Sequence, residues 1–123
     1  MRHIEHFIGG QSVAGTSGRQ SDVFDPNKGI VQARVSLASA EELDRAVANA
    51  VEAQKGWAQA NPQRRARVMF EFKRPLELHM DELAHLLSSE HGKVIADSKG
   101  DIQRGLEVIE FACGIPHLLK GEY

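Results

Sequence analysis

"DIQRGLEVIEFACG", residues 101–114, decides how the chain is read, because it holds more apolar residues than one buried stripe needs. At about 100° per residue, Ile102, Leu106, Ile109 and Cys113 fall in one line of a helix. Arg104, Val108, Phe111 and Ile115 fall in a second line on the opposite side, leaving Gln103, Glu107 and Glu110 as a narrow polar strip. A surface helix carries one apolar stripe, whereas a helix apolar on most sides is covered on most sides. This one expects cover on two faces, with an arginine standing in the second. Gly105, next to that arginine, has no Cβ to hold another backbone away. A guanidinium on a covered face receives a carboxylate or phosphate bidentately; one on an open face extends into water. Arg104 is the candidate site residue, and both readings apply to it.

Working back from this helix, the punctuation is regular. The helix spans about 94–114, and Pro116 limits its extension. Gly92 is a C-terminal stop for the segment before it. Asn61-Pro62 opens a helix, with Asn as cap and Pro in the first turn. Its apolar line runs through Ala66, Met69 and Phe72 to Leu76, Met80, Leu83 and Leu87. Pro75 interrupts that line, so a break is expected at 73–76, between helices at 62–74 and 76–91. Ser39 and Glu42 form a capping box for a helix at 39–58, with Leu43, Val47, Ala50 and Trp57 as its buried stripe. Before Ser39 the period is two: Val31, Ala33 and Val35 alternate with Ile30, Gln32 and Arg34, as in a half-buried strand. Residues 4–37 thus read as a β segment, with turns at Gly9-Gly10, "AGTSG" and "DPNKG".

The length of 123 residues suits one ordinary domain. A net charge of −2 gives no electrostatic reason to expect nucleic acid or an acidic membrane surface as a partner. One cysteine allows no internal disulfide framework and fits a reducing compartment. "MRHIEHFIGG" lacks the apolar run of a signal peptide, and no stretch approaches spanning length. A cytoplasmic protein is expected.

Several residues that carry chemistry elsewhere read as structural here. Cys113 sits on an apolar stripe at the end of a helix, without the base, cation or helix N-terminus that activates a thiol. It reads as a packed, inert thiol. His79, His85 and His91 are six apart, whereas helical metal pairs are three or four apart. His3 and His6 have no thiol or carboxylate pattern to complete a site. "GQSVAGTS" has the glycine spacing of a phosphate loop but lacks its lysine. No Gly-x-Gly-x-x-Gly opens a helix.

Taken together, "HFIGGQSV", "DPNKGIVQARVSLAS" and "AVANAVEAQKGWAQANPQRRARVMFEFK" resemble the opening of aldehyde dehydrogenases. That family begins with an Ile-Gly-Gly strand, an Asn-Pro-x-x-Gly turn before an alternating strand, and an Ala-rich helix ending in x-x-Trp. "DELAHLLSSEHGKVIADSKGDIQRGLEVIEFACGIPHLLKGE" is similar to one branch, the coenzyme-A-acylating methylmalonate-semialdehyde dehydrogenases, in its Glu-x-Gly-Lys and Asp-x-x-Arg-Gly-Leu-x-x-x-Glu patterns. The resemblance covers essentially the whole chain. Two departures stand out: Asp25 replaces the asparagine of the turn, and Pro75 falls where the family's helix is uninterrupted.

The resemblance implies an α+β fragment: a β region at 4–37 and a helical region at 39–120, the start of an aldehyde-dehydrogenase-like α/β fold. It implies NAD and coenzyme A as cofactors of a complete enzyme, and none for this chain alone. The family's Gly-Gln-x-Cys and Glu-Leu-Gly-Gly-Lys motifs are not matched by "EFACG" or "SEHGK", so neither Cys113 nor Glu90 inherits a catalytic role. In the methylmalonate-semialdehyde branch an arginine in the Arg-Gly-Leu context binds the substrate carboxylate, and the matching residue is Arg104. The chain is therefore expected to be an N-terminal segment, inactive alone, whose partner is the rest of the polypeptide or a second copy pairing through the 94–114 helix. The alternatives are a stand-alone helical interaction module and a fragment of another aldehyde dehydrogenase branch.

Overall fold

The computed structural model describes residues 1–122. They form two compact units, Met1–Gln59 and the residues from Ala60 onward.

The first unit begins with five strands: β1 (Arg2–Ile4), β2 (His6–Ile8), β3 (Gln11–Val13), β4 (Gln20–Phe24) and β5 (Val31–Ser36). The β segment therefore starts two residues earlier than the sequence pattern indicated. β5 lies in the middle of a three-stranded sheet, parallel to β1 and antiparallel to β4. β2 and β3 form a separate antiparallel hairpin. Its two turn residues, Gly9 and Gly10, both have positive φ (62° and 79°), the backbone a tight two-residue hairpin requires. At the β4–β5 turn, the Asp25 carboxylate accepts the backbone N–H of Asn27 at 2.9 Å and that of Lys28 at 3.2 Å. The aspartate does the turn-forming work of an asparagine, because both side chains offer the same acceptor. Along β5 the alternation holds in part: Ala33 is fully buried and Arg34 is exposed beside Asp22 of β4 at 3.1 Å, but Gln32 is partly covered, as Val31 and Val35 are.

α1 (Ala40–Gln59) follows. Its capping box is present: the Glu42 N–H donates to Ser39 Oγ at 3.2 Å, and the Ser39 N–H donates to Glu42 Oε2 at 2.8 Å. Its expected buried stripe is not. Leu43, Val47, Ala50 and Trp57 are all exposed, and the covered residues of the helix are Glu42 and Ala46. The apolar line is real, but no element of the unit lies over it.

The second unit comprises α2 (Pro62–Leu78), α3 (Met80–His91), α4 (Ile95–Cys113) and the single turn α5 (Ile115–Leu118). Asn61 caps α2, its side chain accepting the Gln63 N–H at 2.8 Å. The break expected at 73–76 falls instead at His79, because α2 runs through Pro75. A proline removes one donor from the ladder, but its carbonyl remains available. Here the His79 N–H donates to the Pro75 carbonyl at 2.9 Å, and α3 starts one residue later. Gly92 ends α3 in the left-handed conformation, φ 87°. Pro116 does not continue α4; it sits in the first turn of α5, where its missing N–H costs little.

α4 packs against both α2 and α3. Ala66 of α2, Ala84 of α3 and Leu106 and Cys113 of α4 are buried, with Ser98 and Ser88 hydrogen-bonded to each other at 2.8 Å. Met69, Leu76, Met80, Leu83 and Leu87 are partly covered, while Phe72 is exposed. Ion pairs tie the helices at their margins: Lys73 of α2 to Glu110 of α4 at 3.3 Å, and Lys99 of α4 to Asp81 of α3 at 2.6 Å.

Candidate functional site

The two lines of α4 behave differently. Ile102, Leu106, Ile109 and Cys113 are covered, as a packed face requires. Val108 is 68% exposed and Phe111 67%, and Ile115 beyond them is 40% exposed. Arg104 stands on this open line, its side chain 72% exposed. Nothing lies within 4 Å of where a Cβ of Gly105 would be, so no described backbone makes the close approach that this glycine permits.

Arg104 is not free in solution. Its Nη2 donates to Oδ1 of Asp101, one turn earlier on the same helix. The other oxygen of Asp101 accepts the ammonium of Lys93, which comes from the short elbow between α3 and α4. Lys93 and Asp101 are both partly covered. The Lys93 hydrogen bond, more than the Arg104 one, holds the Asp101 carboxyl below the ordinary aspartate range, against the opposing effect of burial. Asp101 is therefore ionised at neutral pH, and the three groups together carry a net charge of +1. An exposed guanidinium in such a cluster can donate to a carboxylate or a phosphate.

Sequence reading placed Arg104 on this line and missed its two neighbours. The Asp101–Arg104 spacing of three was legible as a same-face helical pair. Lys93 was not, since its contact with Asp101 depends on the turn at Gly92.

Glu90 lies on α3 and Cys113 at the buried end of α4, so the two are not brought together with Arg104 into a catalytic constellation. His79 pairs with Glu82 at 3.1 Å, and no group of metal-ligating side chains occurs among the described residues. In the first unit the conspicuous side chain is Glu42, 2% exposed. Backbone hydrogen bonds from Ser39 and then Thr16 lower its pKa from the usual 4.5 to about 2. It is a structural anion, occupied on both oxygens.

The order of strands and helices, the exposed second face of α4 and the Asp-x-x-Arg-Gly pairing together describe the opening of a known dehydrogenase architecture. The aldehyde dehydrogenase family model matches residues 13–123, and the chain belongs to that family. Malonate-semialdehyde dehydrogenase 3 of Geobacillus kaustophilus is 50% identical over 119 residues, 97% of this chain and 25% of its own length. A Sinorhizobium meliloti structure assigned to methylmalonate-semialdehyde dehydrogenase, complexed with NAD, matches at 57% identity with a TM-score of 0.95, covering 99% of this chain and 25% of that one. Methylmalonate-semialdehyde dehydrogenase from Oceanimonas doudoroffii gives a TM-score of 0.95 at 44% identity, with 99% and 25% coverage. The chain spans about a quarter of the length of these relatives, the N-terminal quarter.

Proposed function

We propose that the chain is the N-terminal segment of an NAD-dependent, coenzyme-A-acylating (methyl)malonate-semialdehyde dehydrogenase, in which Arg104 binds the carboxylate of the substrate. The observation that carries this reading is the exposed guanidinium of Arg104 in a cluster of net charge +1, set on the open apolar line of α4. The substrates named for the relatives carry a carboxylate beside the aldehyde. A planar fork of donors fits the two oxygens of that group.

NAD, when bound, would supply a hydride acceptor and coenzyme A an acyl acceptor, both held by the rest of the enzyme. We assign this segment to recognition and place the nucleophile, the general base and the dinucleotide in the rest of the enzyme. The first turns of α1, α3 and α4 hold Glu41 and Glu42, Asp81 and Glu82, and Asp97. Carboxylates there repel a pyrophosphate that a bare helix N-terminus would attract. These three helix N-termini therefore do not fit the pyrophosphate of a dinucleotide. No described helix is long and apolar enough to cross a membrane. With the lone cysteine, this supports a cytoplasmic location.

The test is Arg104→Leu in the full-length enzyme carrying this segment. A charged hydrogen bond contributes about 1.5–3 kcal/mol, which corresponds to roughly ten- to 150-fold. kcat/KM for methylmalonate semialdehyde should fall by that factor relative to kcat/KM for propanal, which has no carboxylate. Equal losses for the two substrates in a folded protein would make Arg104 structural and favour another aldehyde dehydrogenase branch.

A second reading is favoured by the exposure of Val108, Phe111 and Ile115: a helical module that pairs with a second copy through this line. An in-frame continuation containing Gly-Gln-x-Cys would decide for the enzyme.

A further inference from the structure

We propose that Asp101 is the positioning residue for Arg104, anchored in turn by Lys93, so that the guanidinium is held ready for a carboxylate before substrate arrives. This rests on the assignment of Arg104 made above. An arginine as exposed as this one would otherwise wander among many rotamers, and ordering it on binding would weaken the complex. Asp101 removes that freedom by accepting from one nitrogen only, Nη2. Among the described residues Arg104 has no other hydrogen-bond partner, so its remaining donors are available to a ligand.

The anchor is built from two elements. Gly92, at φ 87°, turns the chain out of α3, and its N–H closes that helix on the Ser88 carbonyl at 2.8 Å. Lys93, the next residue, then reaches Oδ2 of Asp101 on α4, leaving Oδ1 for Arg104. The Arg104 side chain lies back along α4 toward Gly100, with Nη1 3.9 Å from where a Cβ of that glycine would stand. Lys93, Asp101 and Arg104 thus form a chain of alternating charge that ends on an exposed cation.

The sign of the effect separates positioning from simple electrostatics. Asp101 is negative, and by charge alone it repels an anionic substrate. Removing its charge would then improve handling of a semialdehyde. If Asp101 positions Arg104, removing its charge worsens it.

The experiment measures kcat and KM for malonate semialdehyde and for propanal with the full-length enzyme and its Asp101→Asn, Asp101→Glu, Lys93→Met and Arg104→Leu variants. Asp101→Asn should raise KM for malonate semialdehyde about fivefold to tenfold more than KM for propanal. Asp101→Glu should recover most of that selectivity, and Lys93→Met should show a smaller loss in the same direction. In the Arg104→Leu background, Asp101→Asn should cost no further selectivity, since two residues acting through one contact are not additive. If Arg104→Leu is selective but Asp101→Asn is neutral or improves the semialdehyde, the positioning role is overturned and the Arg104 assignment survives. Equal losses for both substrates in Asp101→Asn would make Asp101 merely structural. If Arg104→Leu is itself unselective, the assignment of Arg104 fails and the positioning role with it.

Discussion

The Glu42 carboxylate accepts the backbone N–H of Thr16 at 2.6 Å, across 26 positions of sequence, while its other oxygen accepts the Ser39 N–H. One side chain therefore caps α1 and fastens the loop after β3 to that cap. Replacing Ser39 by Ala removes the smaller half of this arrangement and should cost about 1 kcal/mol. Glu42→Gln should cost more, because the Ser39 and Thr16 amides both lose their anionic acceptor. The pH dependence has a defined sign. The Glu42 pKa is depressed from 4.5 to about 2 in the folded chain, so its stabilisation is present above 4.5 and is lost as the pH falls toward 2. The gap in thermal midpoint between the native chain and Glu42→Gln should be wide near neutral pH and much narrower at about pH 3. A gap that does not change with pH would show that Glu42 acts through shape rather than charge.

Two glycines should respond to alanine in opposite directions. A Cβ on Gly15 would stand 2.7 Å from Cβ of Ser36 and 3.2 Å from Nε2 of His6. The serine Cβ is fixed to β5, so Gly15→Ala forces the backbone to shift and should cost about 1–3 kcal/mol. Gly105→Ala meets nothing within 4 Å and lies inside α4. In the isolated chain it should stabilise by up to about 1 kcal/mol. In the full-length enzyme the gain should vanish or reverse if another backbone lies over α4. Urea unfolding of both forms measures each.

The open line of α4 should drive association of the isolated chain. Val108 and Phe111 are more than half exposed and Ile115 is 40% exposed, and apolar patches above a few hundred Å² mark interaction surfaces. Light scattering across a concentration series should show self-association that Phe111→Ser reduces. A clean monomer at every concentration would remove the second reading of the chain.

The isolated chain should be catalytically silent. Its one thiol is buried at the end of α4, and buried structural thiols are inert. Mixed with NAD, coenzyme A and methylmalonate semialdehyde, it should produce no reduced nicotinamide above the background. Sustained turnover that depends on the chain would place the chemistry within these residues.

What the sequence made legible was local. The Ser39–Glu42 box, the Asn61-Pro62 start and the Gly92 stop each lie within four residues of the backbone groups they satisfy, and each marks its helix boundary within a residue or two. Two opposite lines on α4, with Arg104 in the second, followed from spacing alone; that the second lies open did not. The misses depended on contacts made elsewhere. Leu43, Val47, Ala50 and Trp57 form a correct periodic line, but periodicity cannot say whether anything covers it. Pro75 was read as a break because its lost donor is visible in sequence, whereas the bond from His79 to the proline carbonyl is not. Thr16 and Lys93 escaped notice for the same reason: each meets its carboxylate only after the chain has turned.

The place of β5 has a practical consequence. Its two edges are occupied, by β4 on one side and by Arg2–Ile4 on the other. The first residues of the chain are thus a selvedge that keeps Val31–Ser36 from fraying into neighbouring molecules. Trimming them would bare a row of unpaired amides and carbonyls, the template on which strands of other copies add.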